Sequence, residues 1–153
     1  MIKFKIRETD KFDDLVRLFM KEGVEYNEED LIGDGPLPKE VVKCWSITLD
    51  EGDRLVGGAV LATREGEYIV DGIAMDSEFQ RIKLGKELMM RVIEEVLKRN
   101  GKALYLVARA PGFFRKIGFD TINREDAPEF FECATCPQRG VTCHPEVMEL
   151  SMV

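Results

Sequence analysis

The 153-residue sequence is short of several things, and each shortage narrows what it can be. It holds one histidine, His144, and four cysteines, three of which stand beside that histidine in ECATCPQRGVTCHPEV, residues 132–147. Cysteine and histidine chemistry is therefore gathered in one short stretch. A long apolar run is also missing. The opening MIKFKIRETD is polar and charged, and nothing later approaches the roughly 20 residues that span a bilayer, so a cytoplasmic chain with no signal peptide and no membrane contact is expected. Positive charge is in deficit. Its 22 Lys and Arg stand against 29 Asp and Glu, a net charge of -7, which argues against general nucleic-acid binding because a phosphate backbone repels an acidic surface.

With 44% hydrophobic and 33% charged residues, the sequence can bury a core and keep a solvated surface. It shows no internal repeat and no linker, so residues 1–153 are expected to form one domain, with a Cys-rich segment at about 128–146. The charge is unevenly spread. From Gln80 to Lys116 there are ten Lys or Arg against three Glu, which leaves -14 on the remainder. Such a block suits a small polyanionic ligand, or else a solvated helix face.

Alternating apolar and basic residues from Ile2 to Ile6 predict an opening strand, followed by a helix capped at Asp10 whose Phe12, Leu15, Val16, Phe19 and Met20 share a face. The breaker-rich stretch from Glu22 to Lys39 predicts a short helix and a mobile loop. Three strands follow, Val42 to Leu49, Arg54 to Ala62 and Glu67 to Met75, separated by Asp50-Glu51-Gly52-Asp53 and Arg64-Glu65-Gly66. The third, containing YIVDGIAM, is apolar on both faces except at Asp71. Leu84, Leu88, Met89, Val92, Ile93, Val96 and Leu97 mark a long helix stopped at Asn100-Gly101. A buried strand at Ala103 to Val107, a helix from Ala110-Pro111 to Gly118, a strand from Phe119 and a strand-like end at Val147 to Met152 complete an α/β pattern.

Between the third strand and the long helix lies MDSEFQRIKLGKEL. A loop feeding a helix N-terminus offers unpaired N–H groups and a positive dipole end to phosphate, and Arg81, Lys83 and Lys86 add charge there. Gln80-Arg81-Ile82-Lys83-Leu84-Gly85 resembles the Q/R-x-x-G-x-G/A motif with which GNAT N-acetyltransferases bind the pyrophosphate of acetyl-CoA. GIAMDSEF and PGFFRKIGF also resemble that superfamily's strand end and its late F-Y-x-K-x-G-F signature, in the same order along the chain. The resemblance implies a mixed, mostly antiparallel sheet flanked by helices on both faces. It implies acetyl-CoA as cosubstrate, bound by backbone around Ile73, Ala74 and Met75, by Gln80, Arg81, Ile82, Lys83, Leu84, Gly85 and Lys86, and beside Phe114. Two positions depart from the pattern: Lys83 replaces the loop's first glycine, and Phe114 replaces the tyrosine that often protonates the departing thiolate.

The implied reaction is direct attack of an amine on the thioester, which requires a neutral nitrogen. At pH 7, deprotonating a lysine-type amine costs roughly 4 to 5 kcal/mol and an α-amine about 1. Asp71 is the candidate general base, acting through an ordered water; as alternatives it pairs with a buried cation or positions substrate. Tyr26 and Tyr105 are candidate acids, or packing residues. The acceptor is expected to be a small amine or amino acid, and a homodimer is left open. A non-catalytic acyl-CoA-binding or sensing module is the competing class, and Phe114 favours it.

The tail PEFFECATCPQRGVTCHPEVMEL is similar to the C-terminus of short bacterial N-acetylglutamate synthase-like members of that superfamily. Its C-x-x-C suits tetrahedral zinc, with Cys133, Cys136 and Cys143 or His144 as ligands and Cys44 or water as a fourth; an unmetallated or disulfide-capable site and an iron–sulfur or redox-sensing site are the alternatives. Direct acetyl transfer needs no metal, so a structural clip is expected there.

Overall fold

The computed structural model describes residues 2–24, 26–80, 83–123, 125 and 146–152. Cys133, Cys136, Cys143 and His144, the rest of the tail motif before Glu146, and Arg81 and Ile82 lie outside these residues. The elements run β1 (Phe4–Thr9), α1 (Phe12–Lys21), β2 (Val41–Leu49), β3 (Leu55–Arg64), β4 (Glu67–Met75), α2 (Leu84–Lys98), β5 (Ala103–Ala108), α3 (Pro111–Ile117), β6 (Asp120–Thr121) and β7 (Glu146–Ser151), with single 3-10 turns at Glu28–Asp30 and Ser77–Phe79. The seven strands form one sheet in the order β1-β2-β3-β4-β5-β7-β6. β1 with β2, β2 with β3, β5 with β7 and β6 with β7 are antiparallel, whereas β4 and β5 are parallel, with Tyr68 opposite Leu104. That one parallel pair needs a crossover, which α2 supplies. The mostly antiparallel α/β sheet expected from the sequence is the one observed. No helix among the described residues is long and apolar enough to cross a membrane.

The chain divides into two compact units, Met1–Ala62 with Val70–Val92, and Thr63–Ile69 with Ile93–Val153. In the first, α1 buries Phe12, Leu15, Val16 and Phe19 against Cys44 of β2 and Val60 of β3. Each such side chain withdrawn from water contributes about 1.5–3 kcal/mol, so this stripe anchors the helix. The cap is not Asp10 as expected. Lys11 holds the N-cap without a side-chain bond, since an ammonium has no acceptor to offer; its own N–H goes to Thr9 Oγ1 at 3.1 Å, and the Asp10 carbonyl accepts from Phe12 N–H at 2.8 Å.

The stretch after α1 also differs from expectation. Its helix is a single 3-10 turn, boxed by Asn27 and Asp30. The loop beyond is tied down, since the Asp13 carboxylate accepts from Ile32 N–H at 2.7 Å and Gly33 N–H at 2.9 Å. An acidic residue in the first turn of α1 thus serves a neighbouring loop as well as the helix dipole.

In the second unit, β5 alternates, with Leu104, Leu106 and Ala108 buried. Two consecutive positive φ values, at Glu65 and Gly66, give the two-residue link from β3 to β4 the turn handedness that a twisted hairpin needs. The end of α2 is set as expected by Asn100 at φ 61°, with Gly101 N–H bonded to the Val96 carbonyl at 2.8 Å. Leu97 is half exposed, however, and does not belong to the buried stripe. It lies seven residues, two turns, beyond Met90, which is exposed as well, so both occupy the solvent side of α2.

Candidate active site

The first unit holds Asp71, the one acid in the apolar run of β4. The next residue along, Gly72, is buried and forms a notch in the strand: a Cβ there would lie 2.7 Å from Phe19 Cε2 and 3.0 Å from Tyr26 Cε2. The Tyr26 ring fills that notch, 5.0 Å from the Phe19 ring and 6.3 Å from that of Phe12. Its hydroxyl donates to Asp71 Oδ2 at 2.5 Å. Burial, and then the Asp71 charge, push the phenol well above its ordinary range, so it keeps its proton and remains a donor. From β2 the fully buried Cys44 thiol faces the same carboxylate; burial first and Asp71 second push it up to about 12. A thiol held protonated within an apolar cluster is a poor metal ligand, which disfavours Cys44 as the fourth member of a zinc set.

The C-terminal end of β4 is fixed by a second constellation. Asp76, 3% exposed, donates its N–H to the Val56 carbonyl at 2.7 Å and caps the following 3-10 turn by accepting from Glu78 N–H at 3.0 Å. Lys21, at the end of α1, donates to its Oδ2 at 2.7 Å, and Arg54 approaches the same oxygen at 3.4 Å. Lys21 foremost, then the Glu78 N–H, hold the Asp76 carboxyl below its usual range. Gln80 Nε2 donates back to the Met75 carbonyl at 3.1 Å, and Glu22 accepts from Ser77 N–H at 3.3 Å. These bonds fix the turn from Asp76 to Gln80 against the end of β4.

Of the predicted ligand-binding residues, Ile73 and Ala74 are half-buried on β4, Met75 is buried, Leu84 and Gly85 open α2 half-buried, and Lys83 and Lys86 are exposed there. Asp71 shares this strand and this unit with them. Phe114 lies in the second unit, buried on α3 with its ring edge-on to Phe113 and Phe119 at 5.0 and 5.9 Å. Tyr105, on β5, is bonded to Glu149, and burial with that carboxylate raises it to about 12. Among the described residues no group of three or more His, Cys, Asp or Glu could hold a metal ion.

A family model described as "Acetyltransferase (GNAT) family" matches residues 10–119, which takes in the strand, the loop, the helix and Phe119. The chain belongs to the GNAT acetyltransferase family. Its fold agrees. The ribosomal-protein-S18-alanine N-acetyltransferase from Escherichia coli superposes with a TM-score of 0.69 at 18% identity, over 97% of this chain and 94% of that one. A GNAT family acetyltransferase from Elizabethkingia anophelis, solved with acetyl-CoA bound, gives a TM-score of 0.64 at 16% identity over 97% and 98% of the two chains. N-acetylglutamate synthase from Neisseria gonorrhoeae, complexed with coenzyme A and N-acetyl-glutamate, gives 0.69 at 17%, covering 99% of this chain and 35% of that longer one. By sequence, no curated protein matches the chain.

Within this GNAT domain, sequence reasoning singled out Asp71 and the loop but missed what holds them. Lys21, Glu22, Arg54 and Asp76 carry no local signal beyond their charge, and they meet only through the sheet order. Asp76-Ser77-Glu78 alone could have been read as a side-chain cap, an aspartate bonding a backbone N–H two residues on.

Proposed function

We propose that this GNAT protein is an acetyl-CoA-dependent N-acetyltransferase, cytoplasmic and acting as a single domain, that acetylates a primary amine of a small molecule or amino acid by direct attack. One observation carries the reading: within one unit, β4 brings the acid Asp71, then half-buried Ile73 and Ala74 and buried Met75, followed by a turn fixed by Asp76 and Gln80 and by a helix start bearing exposed Lys83 and Lys86. The acetyl-CoA held by the Elizabethkingia relative supports the same cosubstrate here.

In this reading the sequence Arg81, Ile82, Lys83, Leu84, Gly85 and Lys86 receives the pyrophosphate, aided by the N-terminal end of α2, while Gln80 bonds the Met75 carbonyl. N–H groups of Ile73, Ala74 and Met75 bind the acyl arm and steady the developing oxyanion. Asp71 accepts the proton of the attacking amine through water, the N–C bond forms, the C–S bond breaks, and the thiolate takes a proton from solvent. The residues leave little room for a dedicated acid. Phe114 has no proton to give, and Tyr26 and Tyr105 both hold theirs tightly.

Release of free thiol from acetyl-CoA against an amino-acid and polyamine panel tests the reading. Amine-dependent release supports it. Tight CoA binding with no release for any amine would favour the competing class, a non-catalytic acyl-CoA-binding module, for which the phenyl ring at position 114 is the supporting feature. Cys133, Cys136, Cys143 and His144 are proposed as a structural zinc clip without a direct catalytic part.

A further inference from the structure

We propose that Tyr26 is the positioning residue for Asp71, aiming the carboxylate through their shared hydrogen bond. This rests on the reading of Asp71 as the proton acceptor. It also changes the part that the sequence suggested for Tyr26: the phenol serves the base and is not the acid for the leaving thiolate.

Three observations carry it. The bond is short, 2.5 Å, and joins residues 45 apart in the chain, so it exists only because the loop after α1 lies against β4. The ring's seat is built by the missing side chain of Gly72, so the strand is shaped to admit an aromatic at that place. Packing alone does not need the hydroxyl, since a phenyl group would fill the same notch against Phe12 and Phe19. The polar atom is the feature left for a role at Asp71.

The groups facing the pair agree with this assignment. Cys44, from β2, stays a neutral thiol beside the carboxylate. Asp30, in the 3-10 turn, adds negative charge near the phenol and disfavours its ionisation. Tyr26 therefore remains a donor throughout the working pH range and holds the carboxylate in one orientation. In the transfer step the amine proton ends on the Asp71 carboxylate, the nitrogen bonds to the acetyl carbon, and CoA leaves with the C–S electron pair. Tyr26 keeps its own proton.

The experiment is thiol-release kinetics, with the most active amine of the panel, on wild type, Tyr26→Phe, Asp71→Asn and the double variant. If Tyr26 acts through Asp71, Tyr26→Phe lowers kcat by about tenfold, the scale of one lost hydrogen bond to a charged group, leaves the KM for acetyl-CoA in place, and has no further effect in the Asp71→Asn background. Site-specific 3-fluorotyrosine at position 26, which keeps the donor in nearly the same shape, retains kcat; this variant keeps the test alive if Tyr26→Phe folds poorly. A folded Tyr26→Phe that turns over like wild type, or one that lowers kcat equally with and without Asp71, overturns the proposal. If Asp71→Asn itself leaves kcat unchanged, the reading of Asp71 as base fails. If Asp71→Asn abolishes turnover and the Tyr26 variants match wild type, that reading stands and the role of Tyr26 fails.

Discussion

Adding one methyl group at Gly72 tests how the fold makes the site. In Gly72→Ala the new Cβ lies 2.7 Å from Phe19 Cε2 and 3.0 Å from Tyr26 Cε2, and ordinary carbon contact begins near 3.5 Å. Phe19 has no accessible surface and cannot swing aside. Tyr26 must give way, although its hydroxyl is tethered to Asp71. Overpacking of this kind costs about 1–3 kcal/mol. Replacing glycine returns about 0.4–1 kcal/mol by restricting the unfolded chain, so the net loss is about 1–2 kcal/mol. For a domain of this size that is roughly 2–8 °C in Tm. The more telling effect is on catalysis: a shift of a few tenths of an ångström in Tyr26 weakens its bond to Asp71, and kcat/KM falls by about tenfold or more while the KM for acetyl-CoA stays near its wild-type value. Calorimetry with thiol-release kinetics on the same preparations checks both. A variant that melts within a degree of wild type and turns over normally would refute the notion that this notch holds the Tyr26–Asp71 pair.

Other consequences follow from the charged groups. Asp76→Asn removes a charge whose proton affinity is lowered in the folded state from an ordinary 3.8, so the stability it contributes is complete above that pH and is lost as the pH falls through the lower folded value. The variant should melt below wild type at pH 7, with the gap closing below about pH 4, and a gap constant with pH would contradict the ionic role. Lys83→Glu should raise the KM for acetyl-CoA by about tenfold with kcat little changed, whereas Asp71→Asn should mainly lower kcat; equal effects on both parameters would overturn that division. Metal analysis of anaerobically purified protein should return zinc equimolar with the chain, lost in Cys136→Ser, and metal-free protein with an intact fold would dismiss the clip.

Much of this was legible in the sequence because periodicity and turn chemistry act over short distances. Phe12, Leu15, Val16 and Phe19 announce the buried face of α1, Asn100-Gly101 the end of α2, and the single acid in YIVDGIAM the residue worth following. The loop before α2 and the late phenylalanine motif were legible because each is a contiguous stretch of sequence. What escaped is non-local. Asp10 looked like a cap, yet the helix starts one residue later with Lys11 at that position, and Leu97 fits the apolar stripe by composition yet faces water. Asp13 pins a loop some 20 residues away. Tyr26 reaches Asp71, and Lys21 reaches Asp76, across 45 and 55 residues, which no window of sequence contains.

The central claim, that this GNAT protein moves an acetyl group from acetyl-CoA to an amine at the Asp71 strand, is tested most directly by one measurement. Acetyl-CoA and a panel of primary amines are incubated with wild type and with Asp71→Asn, and both free CoA thiol and the N-acetylated product are quantified. Equal amounts of thiol and acetylamine with at least one amine, cut by about a hundredfold or more in Asp71→Asn, are predicted. Thiol release at the uncatalysed rate with every amine, or product formation undiminished in Asp71→Asn, would contradict the account.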